Sequence, residues 1–409
     1  MLLSSRLGLA GAASVCVVTL LAAPQQVDAA SSASSAASTE VQGQQTTHRA
    51  NMRVSPPLHA GSTPKVKRRV KRAPPVILTP SVTPTPSPSA TGNPPTVPHP
   101  LPSGPVLAPP VLAAPSTTPT YSGVSNTFGV ALPSVAWNPS VLDTFSATVG
   151  KKPELVTWAL GWEHDADFYA AGADRLHAKG YAQELTWMPN DYQQSSAEQP
   201  KYTLSRIIDG SFDAYITRWA TQIKAWDKPL RLRFGHEMNG DWYPWSEQAN
   251  GNSPGQYVAA WRHVHDIFDK VGADNVSWVW SPNVAYPGSI PFSQVYPGDE
   301  YVDIVSLDGY NWGTTYGKTW QSFSEVFSAS IAAVQSLTSK PLYISETGSA
   351  EAGGDKAAWI TDMFTFLAKH PEVRGFTWFE RATENDWRIE SSARATAAFA
   401  AGVQDPRYR

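Results

Sequence analysis

The sequence predicts an α/β protein built on a closed (β/α)8 barrel, preceded by a long disordered N-terminal segment. Eight short apolar runs of strand length alternate with helix-period segments after Ser125. This alternation favours a closed barrel over an open doubly wound sheet. Residues 123–409, the predicted catalytic domain, come close to the roughly 250 residues typical of such a barrel. No Gly-x-Gly-x-x-Gly motif follows the first run, which argues against a nucleotide-binding sheet.

Most of the runs are continuously apolar rather than alternating, as expected for parallel strands that are buried on both faces. The segments between them place apolar residues at helical spacing, and one of them begins with a proline near its first turn. The predicted strands are Phe128–Leu132, Leu155–Leu160, Ala182–Trp187, Leu230–Phe234, Val276–Trp280, Val302–Leu307, Leu342–Ile344 and Gly375–Phe379. The predicted helices include Phe212–Ala220, Pro254–Phe268, Ser324–Leu337 and Asp355–Leu367.

Residues 1–29 have the composition of a signal peptide. Arg6 supplies the positive charge, residues 7–23 form the apolar stretch, and Val27–Ala29 offers a small-residue cleavage site. The stretch is too short, and too broken by Gly and Ala, to predict a membrane span. Cys16, the one cysteine of the chain, lies inside this segment. We therefore expect a secreted protein whose mature form does not depend on disulfides.

Residues 30–122 are rich first in Ser and Ala and then in Pro and Thr, with sixteen prolines between Pro74 and Pro119. Such a segment lacks the apolar content to offset its ordering entropy, so a disordered tether is predicted. Its basic cluster, Lys65–Arg72, is either simply solvated, an adhesion site for anionic wall polymer or membrane, or a proteolytic release site. The net charge of −3 gives no reason to expect nucleic acid as a partner.

Two glutamates stand where apolar runs end. Glu237 follows the fourth run and Glu346 the seventh, and the catalytic groups of a barrel lie where its strands finish. Aromatic residues, among them Trp242 and Trp245, follow Glu237 closely. Rings stack on sugars and a carboxyl group can protonate a glycosidic oxygen, so the pattern predicts a polysaccharide-cleaving site. The alternative is a pair of buried or salt-bridged carboxylates. A separation of about 5–5.5 Å would fit retention of configuration, and about 6.5–9.5 Å inversion.

The segments His236–Trp245 and Ile344–Glu346 resemble the acid/base and nucleophile motifs of glycoside hydrolase family 26. The similarity continues through Val276–Asn283 and Asp308–Tyr310, and it covers the chain from about Phe128 onward. That family consists of retaining endo-β-glycanases on a barrel with catalytic glutamates on strands four and seven. The resemblance therefore implies the same fold and the same class of reaction.

The resemblance also implies roles for single residues. Glu237 matches the general acid/base and Glu346 the nucleophile. Tyr310 matches the tyrosine that hydrogen-bonds the nucleophile, and Trp378 the tryptophan floor of the site. The residues predicted to bind substrate are His236, which precedes the acid/base, Asn239, Trp242, Trp245, Trp280, Asp308, Tyr310 and Trp378.

The chemistry of the residues agrees with the two glutamate roles. Glu237 needs a raised pKa, which apolar walls such as Trp242 and Trp245 and a nearby like charge would supply. Glu346 must stay ionised, which a hydroxyl donor would favour. Arg233 and Glu237 are four residues apart, so along a strand their side chains would point to the same face. Arg233 is therefore either a compensating cation beneath the site or part of an ordinary core ion pair.

Other residues allow two interpretations. Trp162, Trp187, Trp280 and Trp312 lie at or just beyond strand ends. Each could pack in the core or stack on a sugar, and four together predict that some of them line a cleft. Asp308 could bind a sugar hydroxyl or cap a turn.

The proposed chemistry requires no metal and no organic cofactor, although a structural ion stays open. His236–Glu237 begins like a zinc-protease motif, but Gly240 stands where the second histidine would be. His263 and His265 are spaced so that their rings diverge on a helix, and both are expected at the surface.

The expected partner is a polysaccharide, and the expected assembly is a monomer. Members of the resembled family act on β-1,4-mannan, mixed-linkage β-1,3-1,4-glucan or β-1,3-xylan, and the segments Glu346–Lys356 and Glu384–Ile389 resemble the glucan-cleaving members. One or two hydrogen bonds decide between equatorial and axial hydroxyls, so mannan and mixed-linkage glucan are both kept. Two rival functions are a non-catalytic carbohydrate-binding barrel and a wall-attachment protein that acts through its basic tether.

Overall fold

The computed structural model describes residues 126–408, which form a closed barrel of eight parallel strands in chain order. The predicted signal peptide (1–29) and the predicted tether (30–122) with its basic cluster lie outside the described residues. The strands are β1 (Thr127–Ala131), β2 (Leu155–Gly161), β3 (Ala182–Met188), β4 (Leu230–Phe234), β5 (Val276–Trp280), β6 (Ile304–Asn311), β7 (Leu342–Ser349) and β8 (Val373–Phe379). β1 pairs with both β2 and β8, which closes the sheet.

Helices lie between the strands and cover the outside of the barrel. Residues 126–408 contain nine of them: α1 (Ser140–Val149), α2 (Ala170–Ala178), α3 (Leu204–Ile208), α4 (Asp213–Trp226), α5 (Gln256–Val271), α6 (Phe292–Val295), α7 (Phe323–Leu337), α8 (Lys356–Lys369) and α9 (Ala393–Gly402). Short 3₁₀ turns occur at Pro200–Tyr202, Thr315–Gly317 and Ile389–Ser391. None of the helices in this part of the chain is both long and apolar enough to cross a membrane.

The predicted barrel and its eight strands are confirmed, with differences at the strand ends. β6 begins at Ile304 rather than Val302, and β6 and β7 continue to Asn311 and Ser349, beyond the ends of their apolar runs. The added residues are polar or glycine, so hydrophobicity alone does not reveal that they stay in the sheet. This extension keeps Asp308, Tyr310 and Glu346 within the sheet.

The extended ends of β6 and β7 are joined in register, with Asp308 beside Glu346 and Tyr310 beside Gly348. The pairing shifts between Leu307 and Asp308, which marks a bulge. A bulge turns the following side chains relative to a regular strand. Side-chain direction at this end of the barrel therefore does not follow from counting residues along the strand.

All four predicted helices are present, but Pro254 is not part of the second. That helix, α5, begins at Gln256 because Gly255 adopts a left-handed backbone with φ 86°. Trp261 of α5 packs against Phe234 of β4 and Trp278 of β5, with ring centroids 5.9 and 5.7 Å apart. The buried residues of the helix follow one another at helical spacing, so they share one face. They are Tyr257, Ala260, Trp261, Val264 and Phe268.

Candidate active site

Both predicted catalytic glutamates lie at the carboxyl-terminal end of the strands. Glu346 is on β7, beside Asp308 of β6. Glu237 lies in the turn after β4, with a left-handed backbone of φ 52°, which costs a non-glycine residue about 1–2 kcal/mol. Its N–H donates to the carbonyl oxygen of Ser281 at 2.7 Å. This bond ties the turn to the end of β5 and helps to hold the strained residue in place.

The carboxyl group of Glu237 is buried and meets two neutral donors. Trp242 Nε1 donates to Oε2 at 2.8 Å, and Asn283 Nδ2 donates to Oε1 at 2.7 Å. Burial, followed by the negative charge of Glu346, raises the pKa of Glu237 to about 7, against the pull of these two hydrogen bonds. A carboxyl group in this environment can hold its proton near neutral pH.

Asn239 lies behind this arrangement and is fully buried. Its Oδ1 accepts a hydrogen bond from the backbone N–H of Asn283 at 2.9 Å, and its Nδ2 donates to the Asn283 carbonyl at 2.8 Å. The two bonds fix the backbone of the residue that donates to Glu237. The structure therefore corrects the predicted substrate contact of Asn239, which orients Asn283 instead.

The carboxyl group of Glu346 has the opposite surroundings. The hydroxyl of Tyr310 donates to Oε2 at 2.5 Å, and Arg233 Nη2 donates to Oε1. Burial alone would raise the pKa of Glu346, but the charge of Arg233 and these hydrogen bonds hold it below its ordinary value. This carboxyl group stays ionised at neutral pH.

Arg233 lies beneath the site and is fully buried. Besides Glu346, its guanidinium bonds both carboxylate oxygens of Asp308, at 2.9 and 3.0 Å, and the hydroxyl of Thr186, at 2.8 and 3.0 Å. The predicted compensating cation beneath the site agrees with this position, and the carboxylate that it binds directly is Glu346. Counting residues from Arg233 to Glu237 does not apply, because β4 ends at Phe234 and Glu237 lies in the turn beyond it.

Asp308 was predicted either to bind a sugar hydroxyl or to cap a turn. It is fully buried and is occupied by Arg233 and by the hydroxyl of Ser281, which donates at 3.0 Å. It therefore holds the cation that holds Glu346. The predicted substrate contact of Asp308 is corrected by this burial.

His236 lies on the Glu346 side of the site. Burial, and then the nearby charge of Arg233, lowers its pKa to about 3, so the ring is neutral at neutral pH. Its Nδ1 is buried without a hydrogen-bond partner in the described part of the protein. The ring lines a small hollow of about 20 Å³ together with Glu346, Thr157, Phe379 and other residues of β1, β2, β3 and β8.

Glu237 opens into a much larger cleft of about 620 Å³. Trp242 stacks on Tyr286 at one wall, with ring centroids 5.9 Å apart and planes 28° apart. Trp312 lies on another wall, where Lys318 Nζ is 4.3 Å from its ring. Further residues that line the cleft are Asp241, Gln248, Asn283, Tyr310, Gln321 and Glu325. The cleft thus joins flat rings to polar groups, as sugar binding needs.

Three of the predicted substrate-binding tryptophans are instead fully buried core residues. Trp378 faces the helical layer, 6.2 Å from Trp359 and 5.3 Å from Phe399 between ring centroids. Trp280 packs on Phe292 and Tyr296 and donates to the Val295 carbonyl at 2.9 Å. The predictions for both are wrong because alternate residues of a strand face opposite sides, and these two face outward.

Trp245 packs within the turn after β4 and does not line the cleft. Its Nε1 donates to the His236 carbonyl at 2.6 Å, and its ring stacks on Tyr243 with centroids 4.3 Å apart. Its predicted contact with sugar is therefore corrected.

Four tryptophans near strand ends could either pack in the core or line a cleft, and three of the four pack in the core. Trp162 and Trp187 pack on each other, 5.0 Å apart, inside the aromatic core, and Trp280 is a core residue as described above. Only Trp312 of this group lines the cleft.

Sequence reasoning missed several residues around the glutamates. Asn283 follows β5 and binds Glu237, a position that the strand-end rule would have found. Phe379 and Trp387 lie 5.7 and 4.8 Å from Tyr310 between ring centroids. Phe379 is on the lumen side of β8, where Trp378 was expected, and nothing local to Trp387 signals its approach. Tyr286 comes from the loop after β5, whose path the sequence does not reveal.

A metal-binding cluster of three or more His, Cys, Asp or Glu side chains does not occur within residues 126–408. His263 contacts Asp213 at 2.7 Å. His265 is mostly buried beside Trp278, so its predicted surface position is wrong.

Comparison with known proteins tests the resemblance. The sequence model of Glycosyl hydrolase family 26 matches residues 168–364, a span that includes Glu237 and Glu346. Endoglucanase H of Acetivibrio thermocellus is 41% identical over 268 residues, which cover 64% of this chain and 28% of that protein. A mannan endo-1,4-beta-mannosidase of Bacillus subtilis is 28% identical over 186 residues, 44% of each chain. Beta-1,3-xylanase TXYA of a Vibrio species is 23% identical over 286 residues, 63% of this chain and 58% of that protein.

The chain thus spans less than two thirds of the length of each of these relatives. Among solved structures, the catalytic domain of a family 26 endo-β-1,4-mannanase from Bacillus sp. JAMB-750 superposes with a TM-score of 0.53 at 20% identity, covering 69% of this chain and 87% of that one. A Cellulomonas fimi endo-β-1,4-mannanase double mutant gives 0.52 at 18% identity, covering 69% and 71%. At these identities the superpositions show a shared fold. The family match over residues 168–364 and the barrel together confirm the predicted resemblance to glycosyl hydrolase family 26.

Proposed function

We propose that this chain is a retaining endo-β-glycanase, with Glu237 as general acid/base and Glu346 as nucleophile. The observation that supports this most directly is the contrast between the two carboxyl groups. Glu237 is buried against the neutral donors Trp242 and Asn283, whereas Glu346 is bound by the cation Arg233 and by the hydroxyl of Tyr310. Pairs of carboxyl groups whose surroundings separate their pKa values divide acid and nucleophile roles.

In the first step, a carboxylate oxygen of Glu346 attacks the anomeric carbon while Glu237 gives its proton to the glycosidic oxygen. The carbon–oxygen bond breaks, the shortened chain leaves as an alcohol, and a glycosyl ester remains on Glu346. In the second step, Glu237, now a carboxylate, takes a proton from water as the water oxygen attacks the same carbon. The ester breaks, and both glutamates return to their starting states.

The two hollows suggest how a polysaccharide lies during this reaction. The large cleft meets Glu237, which must contact the leaving oxygen, so we assign it to the leaving-group side of the chain. The small hollow is lined by Glu346 and His236, and its size suits a single hydroxyl, so we assign it to a hydroxyl group of the sugar that becomes attached. His236, Trp242 and Tyr310 are the predicted substrate-binding residues that keep this role.

We propose a β-glucan as the main substrate, with mixed-linkage β-1,3-1,4-glucan as the first candidate. The support is the 41% identity to a protein named Endoglucanase H, against 28% for the mannosidase of Bacillus subtilis. β-1,4-Mannan is the second candidate, since several relatives carry mannosidase names over shorter spans. Barley β-glucan, glucomannan, galactomannan and β-1,3-xylan, digested briefly and sized, separate these sugars and reveal internal cleavage.

The setting of the enzyme is also proposed. Residues 1–29 support secretion, and the basic cluster Lys65–Arg72 supports contact with an anionic wall polymer or surface. A monomer is the proposed assembly. A non-catalytic carbohydrate-binding protein would need neither buried glutamate, so the presence of both disfavours that rival.

The two glutamates should fail in different ways when they are replaced. Glu346→Ala removes the nucleophile, and turnover should fall by at least about 10⁴-fold on every substrate. Glu237→Ala should still form the glycosyl ester from an aryl glycoside whose leaving group needs no protonation, and the ester should accumulate. Added azide should then restore turnover and give a β-glycosyl azide.

Glu300→Ala serves as the matched control, because Glu300 is exposed near the amino-terminal end of β6. It should behave as the wild type in all assays. Normal turnover by Glu346→Ala, or a Glu237→Ala enzyme that azide cannot rescue, would exclude the assigned roles. Proton NMR of the first product formed by the wild type checks retention independently, since an inverted anomer rules out the double displacement.

A further inference from the structure

Lys356, the first residue of α8, carries a fully buried ammonium group. Its three N–H groups are shared among four acceptors: the backbone carbonyls of Asp386, Trp387 and Arg388 at 3.1, 3.1 and 2.8 Å, and the hydroxyl oxygen of Ser391 at 2.9 Å. All four acceptors belong to residues 380–392, the segment between β8 and α9, which we call the β8 loop. The loop is wrapped around the cation.

A buried cation is tolerated only where polar groups replace its hydration. Here three successive carbonyl oxygens point at one nitrogen, which requires the backbone of the β8 loop to curve around it. Burial lowers the pKa of Lys356 to about 8, so the ammonium form still prevails at neutral pH. The geometry is that of a loop folded on an internal cation.

The curved backbone places Trp387 against the site. The Trp387 ring lies 4.8 Å from Tyr310 and 5.0 Å from Trp312 between centroids. Its Cβ and ring would come within 3.4 Å of any Cβ at position 348, which is glycine on β7. That distance is ordinary van der Waals contact, so Trp387 packs over this part of β7 beside Tyr310, whose hydroxyl donates to Glu346 at 2.5 Å.

Other contacts join the β8 loop to its neighbours without reaching Tyr310. Asn385 Oδ1 accepts from Thr315 Oγ1 at 2.7 Å, and Ser391 Oγ donates to Glu351 at 2.7 Å. These contacts hold the edges of the loop. The segment that carries Trp387 is held from below by Lys356.

We propose that Lys356 is a positioning residue for the nucleophile: it folds the β8 loop so that Trp387 packs on Tyr310 and keeps the Tyr310 hydroxyl on Glu346. The name nucleophile rests on the proposed function, but the chain of contacts does not. Lys356 touches neither Glu346 nor Tyr310, and its effect passes through the loop.

Removal of the ammonium group takes this donor from the Asp386 and Arg388 carbonyls and leaves the Trp387 carbonyl with Trp378 Nε1, which donates to it at 3.1 Å. The loop should therefore loosen around the vacated position. Trp387 then withdraws, and Tyr310 keeps Phe379 and Trp312 beside it but loses its nearest ring neighbour, so its ring is held less firmly. A weaker hydrogen bond from Tyr310 stabilises the Glu346 carboxylate less, so the pKa of Glu346 should rise. A purely structural lysine would change the melting temperature and leave that pKa where it is.

The test compares Lys356→Met and Lys356→Gln with the wild type in the full chain. The Glu346 carboxyl is titrated by carbon-13 NMR of labelled glutamate, with its signal assigned by its loss in Glu346→Gln. Tyr310→Phe, which lacks the hydroxyl, sets the largest shift expected. Lys369→Met is the matched control, because Lys369 is an exposed lysine at the other end of the same helix.

Both Lys356 variants should raise the Glu346 pKa by about one pH unit, close to the Tyr310→Phe value, while Lys369→Met matches the wild type. The acidic limb of the kcat/KM profile should move by the same amount. A folded Lys356 variant with an unchanged Glu346 pKa overturns the proposal, and so does loss of cooperative folding in both variants. A wild type inactive on every glycan would count against the proposed function alone, since the NMR titration needs no turnover.

Discussion

Glu237 and Glu346 differ in charge state because of the donors that each one meets. Glu237 faces an indole and an amide, which are neutral, and its burial dominates. Glu346 faces a guanidinium and a phenol, which together outweigh the same burial. The division of labour thus arises one contact away from the reacting atoms.

The pH dependence of the reaction should report these two environments. Glu237 acts as an acid only while protonated, so kcat/KM should fall above pH about 7, approaching tenfold per pH unit. The acidic limb should lie below the ordinary range of a glutamate, because Glu346 is already ionised there. A kcat/KM profile from acid to alkaline pH checks both limbs.

The charge of Glu346 can be separated from burial in the same experiment. Glu346→Gln keeps the shape of the side chain and removes its charge, so the pKa of Glu237 should fall. It should stay above the ordinary value of a glutamate, because burial is the larger cause of its rise. Carbon-13 NMR titration of Glu237 in the wild type and in Glu346→Gln measures the difference. An unchanged pKa of Glu237 in Glu346→Gln would show that the two groups do not interact.

At this scale the sequence predicts the two glutamates and Tyr310 but misplaces three tryptophans. The ends of apolar runs are visible in a sequence, so residues just beyond them can be found. The direction of a side chain is not visible where the β7–β8 pairing shifts register between Ile344 and Thr347. The resemblance implies that Trp378 forms the floor of the site, whereas Phe379 faces the lumen and Trp378 packs against the helices.

At the scale of elements, the turn after β4 and the β8 loop decide what the barrel can do. The turn places Glu237 through a left-handed residue and a hydrogen bond to Ser281, neither of which has a sequence signature. The helices were easier to predict, because α7 begins with a capping box in which Ser322 and Glu325 bond each other's backbone N–H. Neighbouring residues in the sequence determine where a helix such as α7 begins. The conformation of the turn after β4 depends on a contact with Ser281, which is distant in the sequence.

The β8 loop also holds a carboxyl group that should link its stability to pH. Burial, and then the neighbouring carboxyl of Glu390, raises the pKa of Glu380 from 4.5 to about 9. The folded barrel therefore keeps a proton that the unfolded chain releases near pH 4.5. The stability that this proton contributes is fully present below that pH and is lost as pH rises toward about 9.

Glu380→Gln removes this linkage while its amide oxygen can still accept the Ile389 N–H that Glu380 Oε2 accepts at 3.0 Å. Between the two pKa values the wild type should lose stability relative to the variant, with a slope of up to about 1.4 kcal/mol per pH unit. Denaturant unfolding at several pH values measures the difference. Parallel curves for the two proteins would contradict it, and Glu300→Gln should follow the wild type.

At the scale of the molecule, the first strand and the last residues of the described chain meet. Phe128 of β1 packs on Tyr408 with ring centroids 6.3 Å apart, and Lys151 Nζ donates to the Val403 and Tyr408 carbonyls at 2.9 and 2.5 Å. The barrel core therefore begins at β1, and residues 403–408 pack against that first part of it. The sequence predicts this architecture well, because alternating strands and helices repeat along the whole domain.

A shortened chain that starts at Tyr121 should fold cooperatively and keep its rate on soluble substrate, since all eight strands follow that residue. A chain that starts at Val135 lacks β1 and should fail to fold, which makes it the matched control. Thermal unfolding and turnover of both chains check the boundary. Loss of cooperative unfolding in the chain from Tyr121 would place part of the core before it.

Pairing of β1 with β8, from Thr127 beside Gly375 to Ala131 beside Phe379, affects how the barrel meets other copies of itself. Within residues 126–408 every strand has a neighbour on each side, so no row of open backbone donors and acceptors is left as a template for an incoming strand. Edge-to-edge growth, the usual route from a sheet to an aggregate, has no starting point on the folded barrel. Resistance to such growth follows from the same ring of strands that carries the two glutamates.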